Sequence, residues 1–304
     1  MNTKIFTLFC CISLLLSNGV VSVIAEAPKT SKIVFTSTRD GDAEIYIMNV
    51  DGTQQKNLTL NGARDGSPVW SPTGEHIAFH SDRHGIRDIY IMDADGKNVR
   101  KVLKDVAYRE FPTWSPDGKK VAYHRALSEA IYIADIDERT EAHVVSSGRI
   151  AGFPAWSPDG SEIVFTYRLP HNIGRTALRI INVNTHEETT LFEVDEPATL
   201  IHAAWSPDGS KMAFLWSQKG VYVLDRDGTG LKKLVTGSSP AWSPLGDKVL
   251  YISDGIFTFD LGSRKSKQLT GDGNYEADWF DPAALPVQPQ AQLLTTTWGQ
   301  LKLK

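Results

Sequence analysis

One phrase built on tryptophan recurs along the chain and restricts what it can fold into. It reads VWSPTG at 69–74, TWSPDG at 113–118, AWSPDG at 155–160, AWSPDG at 204–209 and AWSPLG at 241–246, with a degenerate sixth copy, DWFDP, at 278–282. The tryptophans stand at 70, 114, 156, 205, 242 and 279, spaced by 44, 42, 49, 37 and 37 residues. A period of about 42 residues is that of four-stranded blades arranged around an axis. Each period reads as four short strands rich in β-branched and aromatic residues and bounded by Gly, Asp and Pro. The second strand follows the phrase (Ile77-Ala78-Phe79, Val121-Ala122-Tyr123), and the third is typified by Ile89-Tyr90-Ile91-Met92. The fourth is shorter and more polar, as at Val99 to Leu103 and Gln55 to Leu60.

The phrase itself reads as architecture. Pro presets φ for the second position of a type I turn and Gly suits the fourth. The Trp before it offers a large surface to pack between blades. The two ends of the repeat are complementary: Ile33 to Leu60 supplies three strands with no inner strand before them, and Tyr275 to Phe280 is an inner strand with nothing after it. Pairing them makes a sixth blade and removes exposed edges. The expected fold is all-β, one six-bladed propeller over 26–282, closed by the C-terminal strand on the N-terminal blade.

The ends read differently from the repeat. Lys4, an apolar run from Ile5 to Leu16 and small residues at Val23 and Ala25 form a secretory signal-peptide pattern over residues 1–25. Both cysteines, Cys10 and Cys11, lie inside it, so cleavage after Ala25 leaves a chain without disulfides, thiolate metal sites or thiol nucleophiles. The expected location is therefore periplasmic or secreted, with no stable membrane span after cleavage. Residues 283–304 read as a tail: two prolines and several glutamines, then the β-prone LLTTTWGQLKLK. A net charge of −4 gives no basic footprint for nucleic acid.

The stretch at 70–96, WSPTGEHIAFHSDRHGIRDIYIMDADG, resembles the WD40-like repeat of the TolB propeller family, and the likeness runs over essentially the whole mature chain. The resemblance implies a periplasmic, protein-binding propeller of the kind that serves the Tol–Pal envelope system, in which TolB binds the lipoprotein Pal. TolB carries an α/β domain before its propeller. Only residues 26–31 precede the first strand here, so that domain is not expected. Related propellers occur in peptidases and sugar-acid lyases, so the repeat is specific for fold and weak for activity.

Function is expected where the repeat stops repeating. In an antiparallel meander the Ser-Pro-Asp-Gly turns share one face with the tight Asp-Gly turns, and the variable loops share the other. Three residues before each Trp stand Ser67, Phe111, Phe153, His202, Ser239 and Glu276. With Arg64, Asp65, Tyr108, Arg109, Glu110, Arg149 and Tyr275 they are expected to form a charged and aromatic channel mouth that binds a partner. The second-to-third loop of the fourth repeat is the longest. Its Arg168, His171 and Arg175 are candidate contacts for an anionic group.

Catalytic motifs are absent: there is no G-x-S-x-G elbow and no H-E-x-x-H pair. His80 and His124 occupy equivalent places, but spacing offers no third metal ligand. The expectation is a monomeric, non-catalytic, cofactor-free module for a protein or peptide of the cell envelope, a Pal-like lipoprotein among the candidates. The alternative is a metal-dependent lyase of the oligogalacturonate type or a glycan-binding propeller.

Overall fold

A computed structural model describes residues 25–145, 150–169 and 174–285. They form six four-stranded antiparallel sheets, each a meander. The inner strands of blades two to six are Asp65–Trp70, Arg109–Trp114, Ile150–Trp156, Leu200–Trp205 and Ser238–Trp242. Blade one is closed as the sequence predicts. Asn274–Phe280 pairs with Lys32–Ser37, bringing Ile33 opposite Trp279 and Val34 opposite Asp278. Each inner strand packs against the preceding blade, and the last blade packs against the closing strand, so the sheets form a ring.

The tryptophans wedge between blades. Trp70, Trp114, Trp205 and Trp242 are at most 8% exposed. Trp70 packs with Val34 and Ile45 of blade one and with Ile77 and Phe79 of its own blade, while Trp114 bridges blades two and three in the same way. Three indole N–H groups donate to the carbonyl of the residue before the preceding blade's Trp: Trp114 to Val69, Trp205 to Ala155 and Trp242 to Ala204, at 3.0–3.2 Å. A buried indole thereby gains both its hydrophobic contact and a partner for its one donor.

The turns after them satisfy themselves. The Gly118 N–H donates to the Ser115 carbonyl at 2.9 Å, and the Ser115 hydroxyl accepts the Lys120 N–H. Asp117 accepts both the Ser115 hydroxyl and the Lys119 N–H, and these hold its carboxyl below the usual range. The carboxylate that resembles a site in the sequence is a turn element.

Two outer strands are shorter than the sequence suggests, Lys56–Asn57 and Arg100–Lys101. In blade one the reason is Thr59, whose hydroxyl takes the Ile45 N–H at 2.9 Å and donates to Glu44 at 2.6 Å. A side chain thus replaces the ladder where the strand peels away.

Gly74 and Gly118 occupy the same turn position with φ of +74° and +70°. A Cβ on Gly118 would meet Pro72 at 3.8 Å, whereas one on Gly74 would lie 2.2 Å from Cζ of buried Phe280. Gly118→Ala should cost about 1 kcal/mol of backbone strain. Gly74→Ala should cost about 2 kcal/mol more from overpacking against the closing strand. Thermal melts of the two variants check this; equal losses would contradict the packing difference.

Candidate functional site

Each inner strand carries an extra residue relative to its neighbour at one common place, and the fourth blade has a second shift between Ile150 and Gly152. The register shifts between Gly66 and Val69, Glu110 and Thr113, Gly152 and Ala155, Ile201 and Ala204, and Ser238 and Ala241; in blade one it lies opposite Phe35 and Thr36. In every blade the residue three before the Trp is left-handed, with φ of 49° at Ser67, 55° at Phe111, 56° at Phe153, 53° at His202, 45° at Ser239 and 50° at Glu276. Such a bulge breaks the ladder and re-aims a side chain. In four blades the next residue is proline (Pro68, Pro112, Pro154, Pro240), which has no N–H to strand at the break. The column noticed in the sequence is therefore one backbone device used six times with different side chains.

Those side chains meet. The rings of Phe111 and Phe153 lie 4.1 Å apart, and Phe153 meets His202 edge-on at 4.3 Å. His202 Nδ1 is 3.1 Å from the Ser239 hydroxyl, and the Ser67 N–H donates to Glu276 at 2.8 Å. Burial pushes the His202 pKa down to about 4, so its imidazole is neutral. Burial also raises the Glu276 carboxyl, despite hydrogen bonds from Ser67 and Thr36. From this layer to the Ser-Pro turns runs a cavity of about 540 Å³, walled by the tryptophans and by the turn prolines. No residue on the loop side of the layer lines it.

On the loop side sits a second layer. His80 packs edge-on to Phe111 and lies so close to Gly66 that a Cβ there would be 2.8 Å from its Nε2. Burial, then the nearby Arg87 charge, pushes its pKa down to about 3. His124 Nδ1 is 3.5 Å from Glu110, which also accepts Arg87 at 2.8 Å. Burial raises the Glu110 carboxyl but is outweighed by His124 and Arg87, which leave it below the usual range. Among the described residues, no group of three or more His, Cys, Asp or Glu side chains is arranged to hold a metal ion.

The structure sorts the residues expected at the channel mouth. Phe111, Phe153, His202 and Glu276 do converge, as the layer across the channel. Tyr108 lies under Arg87, 5.7 Å from its guanidinium, near Glu110. Arg64 is exposed on the loop face, and Tyr275 is half-buried beside Glu276. Arg149 and His171 lie outside the described residues.

Asp65 and Arg109 are not mouth residues; both are fully buried. Asp65 accepts Arg83 at 3.1 Å, and that guanidinium lies over Tyr90 and bonds Ser81. Blade one repeats the clasp with Arg39, Ser37, Tyr46 and Asn274. In blade three the charges trade places. Arg109 occupies the strand position of Asp65, lies over Tyr123, and is held by Asp88, Asp105 and Glu141 at 3.1, 2.7 and 3.4 Å. A burial this complete needs its charges matched, and the matching acids lie up to 32 residues away in sequence. Arg168 and Arg175 are also engaged, by Glu129 at 3.0 Å and by the Val194 carbonyl.

Sequence reasoning missed Asp278. It lines the cavity and accepts the Trp70 N–H at 2.8 Å, and burial pushes its pKa up to about 6. The signal was available: the residue before each Trp is Val69, Thr113, Ala155, Ala204 and Ala241 elsewhere, and a carboxylate only here.

The ring of six blades with an inner-strand layer defines a six-bladed β-propeller. A sequence profile of the TolB beta propeller domain matches residues 16–196 and 87–285, and the chain belongs to that family. No curated protein matches it. Among solved structures it is similar to TolB from Acinetobacter baumannii (20% identity, TM-score 0.70), covering 82% of this chain and 66% of that one. A putative TolB from Agrobacterium tumefaciens is 21% identical with a TM-score of 0.55, covering 74% and 99%. An oligogalacturonate lyase in complex with manganese is 18% identical with a TM-score of 0.54, covering 81% and 74%. At these identities the likenesses establish the fold.

Two outcomes follow from the buried charges. Arg109→Met removes the cation shared by Asp88, Asp105 and Glu141, leaving buried Asp88 with Lys101 alone and Glu141 with Arg125 alone, and should cost about 3 kcal/mol. Arg168→Ala, in an exposed pair, should cost less than about 1 kcal/mol. Denaturant melts separate them. For Asp278, the folded-state value lies above that of an unfolded carboxylate. The folded chain therefore holds a proton that the unfolded chain releases between about pH 4 and 6, and stability falls as pH rises through that window. Asp278→Asn removes the penalty while keeping an acceptor for Trp70. Relative to wild type it should gain about 2–3 kcal/mol between pH 4 and pH 7, read from denaturant midpoints at the two pH values.

Proposed function

We propose that this chain is an exported, non-catalytic binding module that docks a protein or peptide of the cell envelope on its loop face. The family supports the class of function. The location is supported by the leader-like residues 1–25, and no helix among the described residues is long and apolar enough to cross a membrane. A Pal-like lipoprotein, in a Tol–Pal-like transport or envelope-integrity system, is the specific partner that the family suggests.

The observation that carries the choice of face is a run of exposed apolar side chains. Leu60 is 81% exposed, Ile86 44%, Val106 64% and Leu127 88%. All four lie in loops of the same face, in chain order across blades one to three: Leu60 between the first and second blades, Ile86 within the second, Val106 between the second and third, and Leu127 within the third. Single exposed leucines are ordinary, but a neighbouring series on one face marks an interaction surface. Arg64, Tyr108 and Glu110 stand beside it and supply polar contacts. The opposite face also exposes Val99, Leu231 and Leu245, but these are spread over blades two, five and six, and its turn carboxylates, like Asp117, are consumed internally.

Capture from envelope extracts tests the reading. Wild-type protein should retain a specific partner, and the Leu60→Asp, Leu127→Asp double variant should lose about tenfold or more of that capture. Both positions are exposed, so the fold should survive, which a thermal melt checks. Undiminished capture by the variant rejects the loop face.

A further inference from the structure

We propose that the cavity on the turn side of the channel is a second binding site, selective for a basic amino-acid residue through its ammonium or guanidinium group.

The first ground is charge. The cavity is lined by three carboxylates, Glu276, Asp278 and Asp281, and by no lysine or arginine. His202, the one imidazole on its wall, is neutral. Glu276 and Asp278 stand two residues apart on the closing strand, and both line the cavity. Neither has a Lys, Arg or His among the described residues within ion-pairing distance, whereas buried Asp65 and Asp88 do; Glu44, also buried without a cation, has both oxygens taken, by the Thr59 hydroxyl and the Asn61 N–H. Protein surrounds both, yet each keeps some accessible surface, because the surface they expose is cavity wall. Asp281 is partly engaged, capping the short helix Pro282–Ala284.

The second ground is independent of the acids. Of the six ring tryptophans, four donate their indole N–H to a carbonyl: three to the preceding blade, and Trp156 to Gly160. The two buried indole N–H groups without a partner belong to Trp70, which is 6% exposed, and Trp279. Both line this cavity, and both adjoin the acidic pair: Trp279 follows Asp278 in the strand, and the Trp70 backbone N–H bonds Asp278. Both N–H groups are closed off inside the wall, so the indole rings, and not their donors, face the cavity beside the acidic pair. The remaining walls are aromatic, with Trp114, Trp205, Trp242 and Phe153 among them. Aromatic faces attract organic cations, more strongly when desolvated.

The third ground is the sequence. The sixth copy of the phrase departs from the others at Asp278, where they carry Val, Thr or Ala, and at Phe280-Asp281, where they carry Ser-Pro; two of these changes add a carboxylate to the cavity wall, as does Glu276 in the variable column before it. A local choice that costs stability, as Asp278 does, is expected where a site needs it.

A basic residue could arrive free or within a polypeptide, and the probes separate these sources. Isothermal titration of the mature protein would use free arginine, N-acetyl-arginine amide, N-acetyl-lysine amide and the neutral isostere N-acetyl-citrulline amide. The cationic probes should bind, and the citrulline probe about tenfold more weakly or not at all. Tighter binding of free arginine would assign a free amino acid, and tighter binding of the blocked forms a residue in a chain. Glu276→Gln with Asp278→Asn should weaken the cationic probes about tenfold or more. The loop-face variant Leu60→Asp, Leu127→Asp should bind them as wild type does, so the two proposed sites succeed or fail separately. The proposal is overturned if no cationic probe binds at about 10 mM, if arginine and citrulline probes bind alike, or if the acid-to-amide variant binds like wild type. The arginine-to-citrulline comparison needs only the wild-type protein, so it decides even if the variant folds poorly.

Discussion

The pairing of Asn274–Phe280 with Lys32–Ser37 is the constraint on which the rest depends. Each blade buries one face of its sheet against the next, so a row of blades leaves two sheet faces open unless its ends meet. This contact joins residues about 240 apart and turns a stack into a ring. Its entropic cost grows only slowly with loop length, and the contact covers both open faces at once. It also fixes where the chain departs from its own pattern. Phe280-Asp281 replaces Ser-Pro at the turn, Phe280 packs on Gly74 and Trp70, and two of the cavity's three carboxylates lie on the same closing strand.

Inside the ring, backbone and side chain have separate roles. The bulge three residues before each Trp holds six non-glycine residues in a left-handed conformation, a strain of the order of 1–2 kcal/mol apiece. Repetition of the geometry in all six blades makes it a feature of the fold rather than of one active residue. Its effect is to turn one side chain per blade towards the axis. The chemistry of the layer then follows from which residue each blade places there: two phenylalanines and a histidine on one side, two serines and a glutamate on the other.

The clasp at the loop end of the inner strands shows how buried charge is spent on specificity of packing. Blades one and two hold an arginine from the loop just after the second strand over a tyrosine of the third, against Asn274 or Asp65. Blade three places the arginine on the inner strand and gathers its acids from blades two and three. The positions correspond while the signs of blades two and three are exchanged: the clasp fastens strands within a blade in blades one and two, and in blade three it also joins that blade to the one before.

The repeat phrase, its period and the complementary ends were enough to read the ring, the turn and the closure from the sequence, because each is a local pattern repeated until chance is excluded. The column ending in Glu276 was legible for the same reason. Charge was less legible. Asp65 and Arg109 stand in variable loops and look like surface residues; only folding brings Arg83 to the one and Asp88, Asp105 and Glu141 to the other. Asp278 looks like one more substitution in a degenerate repeat until the ring closes and leaves it in a cavity without a cation. The sequence by itself determined the architecture, since periodic apolar residues and turn chemistry act over a few residues. The tertiary structure alone decided which charges are structural and which remain available, since burial and pairing depend on residues that meet only when the blades do.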